Sequence, residues 1–301
     1  MKVIEPKQEH VDAQHRCLPI TISPERAEAL AKQDAAVEEA VDRLISDQKI
    51  LIDPAHQQRQ ASTEPVAFKL GPNTYALHRN FFYFQNAPSA EPSDGTVSIS
   101  LQWPCMEPLP QGFNFADNAD SSKRAILITV RHLNPGRITV PEAMRRSILP
   151  LDPQNDEQEA DPLESLDQRF KGDAIYGGLT PYFANLDAIE RYLLARHPSN
   201  AQAHSRENAR LLGKDWYIQH KSTDFPSSVI KCDNREIADG LIVDGNAVAD
   251  DPTVQRRASC NHQFALPDRE LVIEMSYARA FLPDWQRLEQ RVDALLTPSQ
   301  P

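Results

Sequence analysis

The chain lacks the short devices that announce most catalytic centres. It contains no Gly-x-Ser-x-Gly nucleophile turn and no His-Glu-x-x-His zinc pair. Neither a Gly-x-x-x-x-Gly-Lys-Ser/Thr phosphate cradle nor a Gly-x-Gly-x-x-Gly dinucleotide turn occurs. Its four cysteines, Cys17, Cys105, Cys232 and Cys260, include no CxxC spacing, so no short metal-ligand pair is expected, and no cofactor. No window approaches the roughly 18 apolar residues of a bilayer-spanning helix, which excludes an integral membrane segment of that kind. The opening Met1 to Glu9 has a lysine but no apolar core, so no export signal is expected in the chain as given. The expected location is the periplasm where such a signal has been removed, and otherwise the cytoplasm.

Positive charge is also in short supply. Lys and Arg total 32 against 43 Asp and Glu, a formal charge of -11. A phosphate backbone is met by cations that release its counterions, so nucleic acid is excluded as the main partner. An acidic chain is soluble and is steered toward basic proteins.

What is present is a succession of short periodic segments. Residues 24–52 repeat apolar positions at three and four behind Ser23 and Pro24, which predicts a surface helix. Strands are expected at Val66 to Leu70 and Tyr75 to Phe84, separated by Gly71-Pro72-Asn73. Val97, Ile99, Leu101 and Trp103 alternate as a half-buried strand, and Arg124 to Arg131 supplies its antiparallel neighbour. Lys171 to Leu179 reads as a strand entering a glycine turn, and Leu186 to Arg196 as a helix. Trp216 to His220, Ser228 to Cys232 and Glu270 to Tyr277 are further strands. A last helix from Pro283 carries Trp285, Leu288, Val292, Leu295 and Leu296 on one stripe.

Without a βαβ rhythm, this pattern predicts an α+β fold of mixed or antiparallel sheets with packed helices, with an arrangement in two similar lobes left open. The expected divisions are an N-terminal helix and linker over 1–65, a first lobe over 66–150, an acidic insertion over 151–170 and a second lobe over 171–301.

Candidate chemistry is thin. Cys232 closes one apolar strand and Cys260 opens the next, so the two meet either as a structural disulfide or as reduced buried thiols. His262 stands two residues beyond Cys260, a spacing open to a nucleophile pair but better read as a hydrogen-bonded structural histidine. His220 beside an acidic cleft is the other route to an unrecognised enzyme. The stretch Trp103 to Pro110 reads as a proline-terminated strand or as an aromatic recognition loop.

The run Cys260-Asn-His-Gln-Phe264, followed by Leu271 to Tyr277 and Leu282-Pro-Asp-Trp285, resembles the ending of immunity proteins encoded beside type VI secretion lipase and phospholipase effectors. Leu77 to Phe84, Val97 to Pro104 and Val229 to Cys232 are similar to earlier segments of that family, so the resemblance spans about residues 66 to 296. It implies a two-lobed periplasmic protein, without catalysis, that binds a cognate effector enzyme or other secretion-system protein and covers its active site. The alternative is an adaptor or chaperone that binds an effector without inhibiting it. Contact candidates are the acidic Asp156, Glu157, Glu159 and Asp161, and the aromatic Tyr83, Phe84, Tyr176 and Tyr182.

Overall fold

A computed structural model describes residues 63–82, 95–108, 119–149, 161–220 and 225–298. The expected helix over 24–52 lies outside the described residues, as do Tyr83, Phe84, Asp156, Glu157 and Glu159.

The architecture is α+β, built on an eight-stranded antiparallel sheet. Its strands are β3 (Thr96–Gln102), β4 (Ala125–His132), β5 (Phe170–Lys171), β6 (Thr180–Phe183), β7 (Asp215–Gln219), β8 (Ser228–Cys232), β11 (Ser259–Leu266) and β12 (Leu271–Ala278). Two hairpins stand apart from it: β1 (Pro65–Leu70) with β2 (Asn73–His78), and β9 (Leu241–Asp244) with β10 (Ala247–Asp250). The helices are α1 (Ala119–Arg124), α2 (Val140–Arg146), α3 (Leu186–Arg196), α4 (Arg206–Leu212) and α5 (Trp285–Leu295).

The sheet order is β3-β4-β12-β11-β8-β7-β6-β5. The chain's last strand, β12, therefore lies between β4 and β11 and joins the 66–150 and 171–301 ranges into one sheet. Alternation along each strand sends one side-chain set to each face. Val97, Ile99, Ile128, Ile230, Phe264, Ile273 and Met275 enter the main core with the β1–β2 hairpin and α5. Val229 and Val272 point the other way, into a smaller core under α2 with Val140 and Met144. Ala184, Leu186, Ile189, Leu193 and Ala209 form a third cluster between α3 and α4.

Most expected strands appear within a residue or two, and α3 has the expected bounds. Others differ for local reasons. β2 stops at His78, where a 3-10 turn over Arg79–Phe81 takes over. The expected strand over Lys171 to Leu179 reduces to the two residues of β5 before a turn, in which Tyr176, Gly177 and Gly178 take positive φ and leave the pleat. Pro283 lies inside a 3-10 segment, Arg279–Asp284, and α5 begins only at Trp285. Five elements went unexpected: α1, α2, α4, β6 and the β9–β10 hairpin. Helices α2 and α4 carry a readable start, since Thr139 and Ser205 accept the N–H of Glu142 and Asn208 as N-caps.

Candidate partner-binding face

Cys232 and Cys260 face each other directly across the β8–β11 ladder and are joined in a disulfide, their Cα atoms 3.9 Å apart. No described cysteine is free. Cys260 thus has no thiolate to offer His262. The histidine is buried and engaged at both nitrogens: Tyr277 donates its hydroxyl to Nδ1 at 3.1 Å, and Nε2–H donates to Glu289 at 3.0 Å. These partners assign the tautomer. Ser228 donates to the same Glu289 oxygen, so the cluster ties α5 to β8, β11 and β12. Burial raises the Tyr277 phenol well above its ordinary value, which keeps it a donor.

The remaining charged groups in the interior are also structural. Asp215 accepts the N–H groups of Ala184 and Arg235, each at 2.8 Å. Asp233 accepts from Lys214, from Arg256 at 2.9 Å and from the Ser259 N–H at 2.8 Å. Arg279 fastens the same loop through the carbonyls of Asp233 and Asn234. Among the described residues no group of three or more His, Cys, Asp and Glu could hold a metal ion. His220 is exposed at the end of β7. The Trp103 to Pro110 reading resolves, over its described part, as a structural turn. Trp103 stacks on Phe281 at 4.7 Å and donates to Asp284, while Arg287 and Arg291 of α5 bond the carbonyls of Pro104 and Met106.

Among the described residues, the side of the sheet opposite the main core is only partly covered by α2. Beside that helix lies a groove of about 830 Å³. Its floor is a cross-strand row in which Trp216 faces Lys231, Lys231 faces Asn261, Asn261 faces Ser276 and Ser276 faces Leu127. A second row runs from Val229 through Gln263 and Glu274 to Thr129. Arg146, Ser147 and Leu149, from the end of α2 and beyond it, form one wall, and Asp161 and Glu164 form another.

Trp216 is the buried centre of this face. The Arg169 guanidinium lies 4.0 Å from its ring centroid and the Lys231 ammonium 3.8 Å, both within cation–π range. Burial lowers Arg169 to about 10, against the pull of Asp215 and Glu164. It lowers Lys231 as well, with Glu164 opposing at 3.9 Å.

The described contact candidates are not brought together as a group. Asp161 lines the groove, but it accepts the Tyr192 hydroxyl and the Leu163 N–H, both at 2.9 Å, and so shapes its own turn. Tyr182 pairs directly with Trp216, at the β6 end of the same row. Tyr176 is exposed elsewhere, where its carbonyl accepts the Trp285 indole N–H at 2.6 Å and fastens the glycine turn to α5. Asn261, Gln263, Ser276 and Thr129 escaped sequence reading, because polar residues alternating along a strand signal only a solvent face.

No family model and no curated protein matches the chain. Among solved structures, an immunity protein of the Stenotrophomonas maltophilia type IV secretion system is similar to it. That protein shares 29% sequence identity and a TM-score of 0.64, over 79% of this chain and 95% of that one. The iron-regulated outer membrane lipoprotein FrpD of Neisseria meningitidis aligns over 79% of this chain and 94% of its own, at 13% identity and a TM-score of 0.42. The first of these corrects the resemblance drawn from sequence. The similar immunity protein belongs to a type IV system, and the similarity shows no link to a lipase or phospholipase. The segments that suggested the type VI family are strand cores, a disulfide and a helix start, which report a fold and carry no information about the secretion machine or the enzyme it delivers.

Proposed function

We propose that this protein is an immunity protein that binds a secretion-system toxin and neutralises it by covering its working surface, with no turnover of its own. The observation that carries this reading is the 29% identity, over nearly the whole length of the other chain, to an immunity protein with a similar fold. The described interior fits it. Cys260 is bonded, and His262 is held on both sides in a packed core, so the best catalytic pair the sequence offered is spent on structure. An inhibitor requires a rigid scaffold with a complementary surface, and a central sheet face with open polar residues is such a surface. The Cys232–Cys260 bond supports an oxidising compartment such as the periplasm, because thiol-reducing systems keep cytosolic cysteines apart.

The test is titration of the purified, oxidised protein against the products of its neighbouring genes, with growth of cells expressing each product as the readout. Saturable rescue and binding at a fixed molar ratio are expected. Binding without rescue identifies an adaptor, and no binding to any of them rejects the reading.

A further inference from the structure

We propose that the groove on the open sheet face receives an extended, cationic polypeptide segment of a partner protein, held by side chains of β4, β11 and β12. This rests on the reading of the chain as a partner-binding inhibitor and deepens it by naming the place and the chemistry.

The floor sets the polarity of the occupant. Asn261 and Ser276 are exposed, Gln263 and Thr129 half-buried, and none of these four side chains has a hydrogen-bond partner among the described residues. Water satisfies them in the free protein. An apolar partner would strip that water and leave each group unpaired, at a cost of about 1–3 kcal/mol apiece. A main chain brings N–H and C=O groups in alternation and can replace the water bond for bond. The groove lies over central strands whose ladders are already full, so the contact is made by side chains across the face and not by adding a strand to an edge.

Charge sets the sign. The cations nearest the floor are already engaged. Arg169 is buried, and Lys231, with 29% of its side chain exposed, rests on the Trp216 ring. Arg146 pairs with Glu142 along α2, and Arg131 with Glu274 at 2.9 Å. The groove lining holds three carboxylates, Asp161, Glu164 and Glu274, against two cations, Arg146 and Lys231, and Glu164 is the most exposed of the paired groups at 65% of its side chain. An approaching segment therefore meets a lining with an excess of carboxylates, on a chain of net charge -11. Leu149, half exposed on the α2 wall, gives the segment one apolar contact.

The experiment pans a phage-displayed random peptide library on the folded, oxidised protein. Synthetic copies of the enriched peptides are then titrated against wild type, Asn261→Arg/Ser276→Arg, Glu274→Lys and, as a control on α4, Leu211→Arg. Near-ultraviolet circular dichroism checks that each variant is folded. The expected result is enrichment of basic peptides, with affinity at least tenfold weaker in both groove variants, unchanged in Leu211→Arg and falling with salt. Acidic or apolar consensus peptides, equal binding to the groove variants, or no enriched peptide at all would overturn the proposal. The same variants in the toxin titration separate the two claims. Full neutralisation by the groove variants rejects the groove and leaves the immunity reading standing. Basic peptides lost in the groove variants, with no toxin bound by wild type, do the reverse.

Discussion

Lys231 lies with its ammonium 3.8 Å from the centroid of the Trp216 ring, directly across the β7–β8 ladder, and Arg169 approaches the same ring at 4.0 Å. One indole thus seats two cations that would otherwise repel each other beneath an open surface. Replacement of Trp216 by Ala removes a fully buried side chain together with that seat. The expected loss is about 3–5 kcal/mol in urea unfolding. Trp216→Phe, which keeps a smaller aromatic face, is expected to lose clearly less, and equal losses in the two variants would show that volume alone matters there.

The disulfide acts on a different state. Cys232 and Cys260 are 28 residues apart in sequence, and closing that loop restricts the unfolded chain by about 3–4 kcal/mol in the chain-entropy model. Cys232→Ala/Cys260→Ala is expected to lower the urea midpoint by a corresponding amount. An unchanged midpoint would show that the bond is incidental to stability.

Asp233 links stability to acid. Burial pushes its carboxyl up, but Lys214, the Ser259 N–H and Arg256 together outweigh burial and hold it below the ordinary carboxylate range. Such a group contributes stability that is fully present above its unfolded pKa of about 3.9 and is lost as pH falls through the lower folded value. Asp215 runs the other way. Burial raises its pKa despite bonds from two N–H groups, so its contribution is present below the unfolded pKa and lost as pH rises through the folded one. Asp233→Asn should therefore flatten the loss of stability below about pH 4 while lowering stability at pH 7. Unfolding titrations between pH 3 and pH 7 check both parts, and an unaltered acid slope would refute the assignment.

Gly71 is required by two constraints at once. Its φ is +57°, and a Cβ there would lie 2.1 Å from His132 Nε2. His132 is itself held by Glu270 at 3.2 Å, so the ring is not free to withdraw. Gly71→Ala is expected to cost about 2 kcal/mol or more, since left-handed backbone and overpacking each cost at least about 1 kcal/mol. Adding His132→Ala should recover only the steric share. Full recovery in thermal melts would show that the backbone conformation costs nothing.

Local pattern made much of the fold legible. Period-two alternation placed β3 and β12, short strand-like runs placed β4, β7 and β8, and the apolar stripe placed α5, because burial writes itself into each strand or helix separately. The short helices α2 and α4 were missed despite their N-caps, since seven residues give too few turns for a stripe to stand out from chance. The β9–β10 hairpin was missed although the sequence marks it, with the two-residue turn Gly245-Asn246 between two four-residue strands.

The sequence by itself determined which residues alternate, where the turns break, and that Cys232 and Cys260 stand at the ends of two successive strands. Only the tertiary structure decided that β12 enters between β4 and β11, and that one insertion sets Ser276 beside Asn261 on one side and beside Leu127 on the other. The groove follows from that pairing. Asn261, Ser276 and Thr129 come from three separate stretches of chain, and each alone is an ordinary polar residue on the wet side of a strand. Strand order is set by long-range ladder pairing and by which faces can be buried together, and no local period in the chain encodes it.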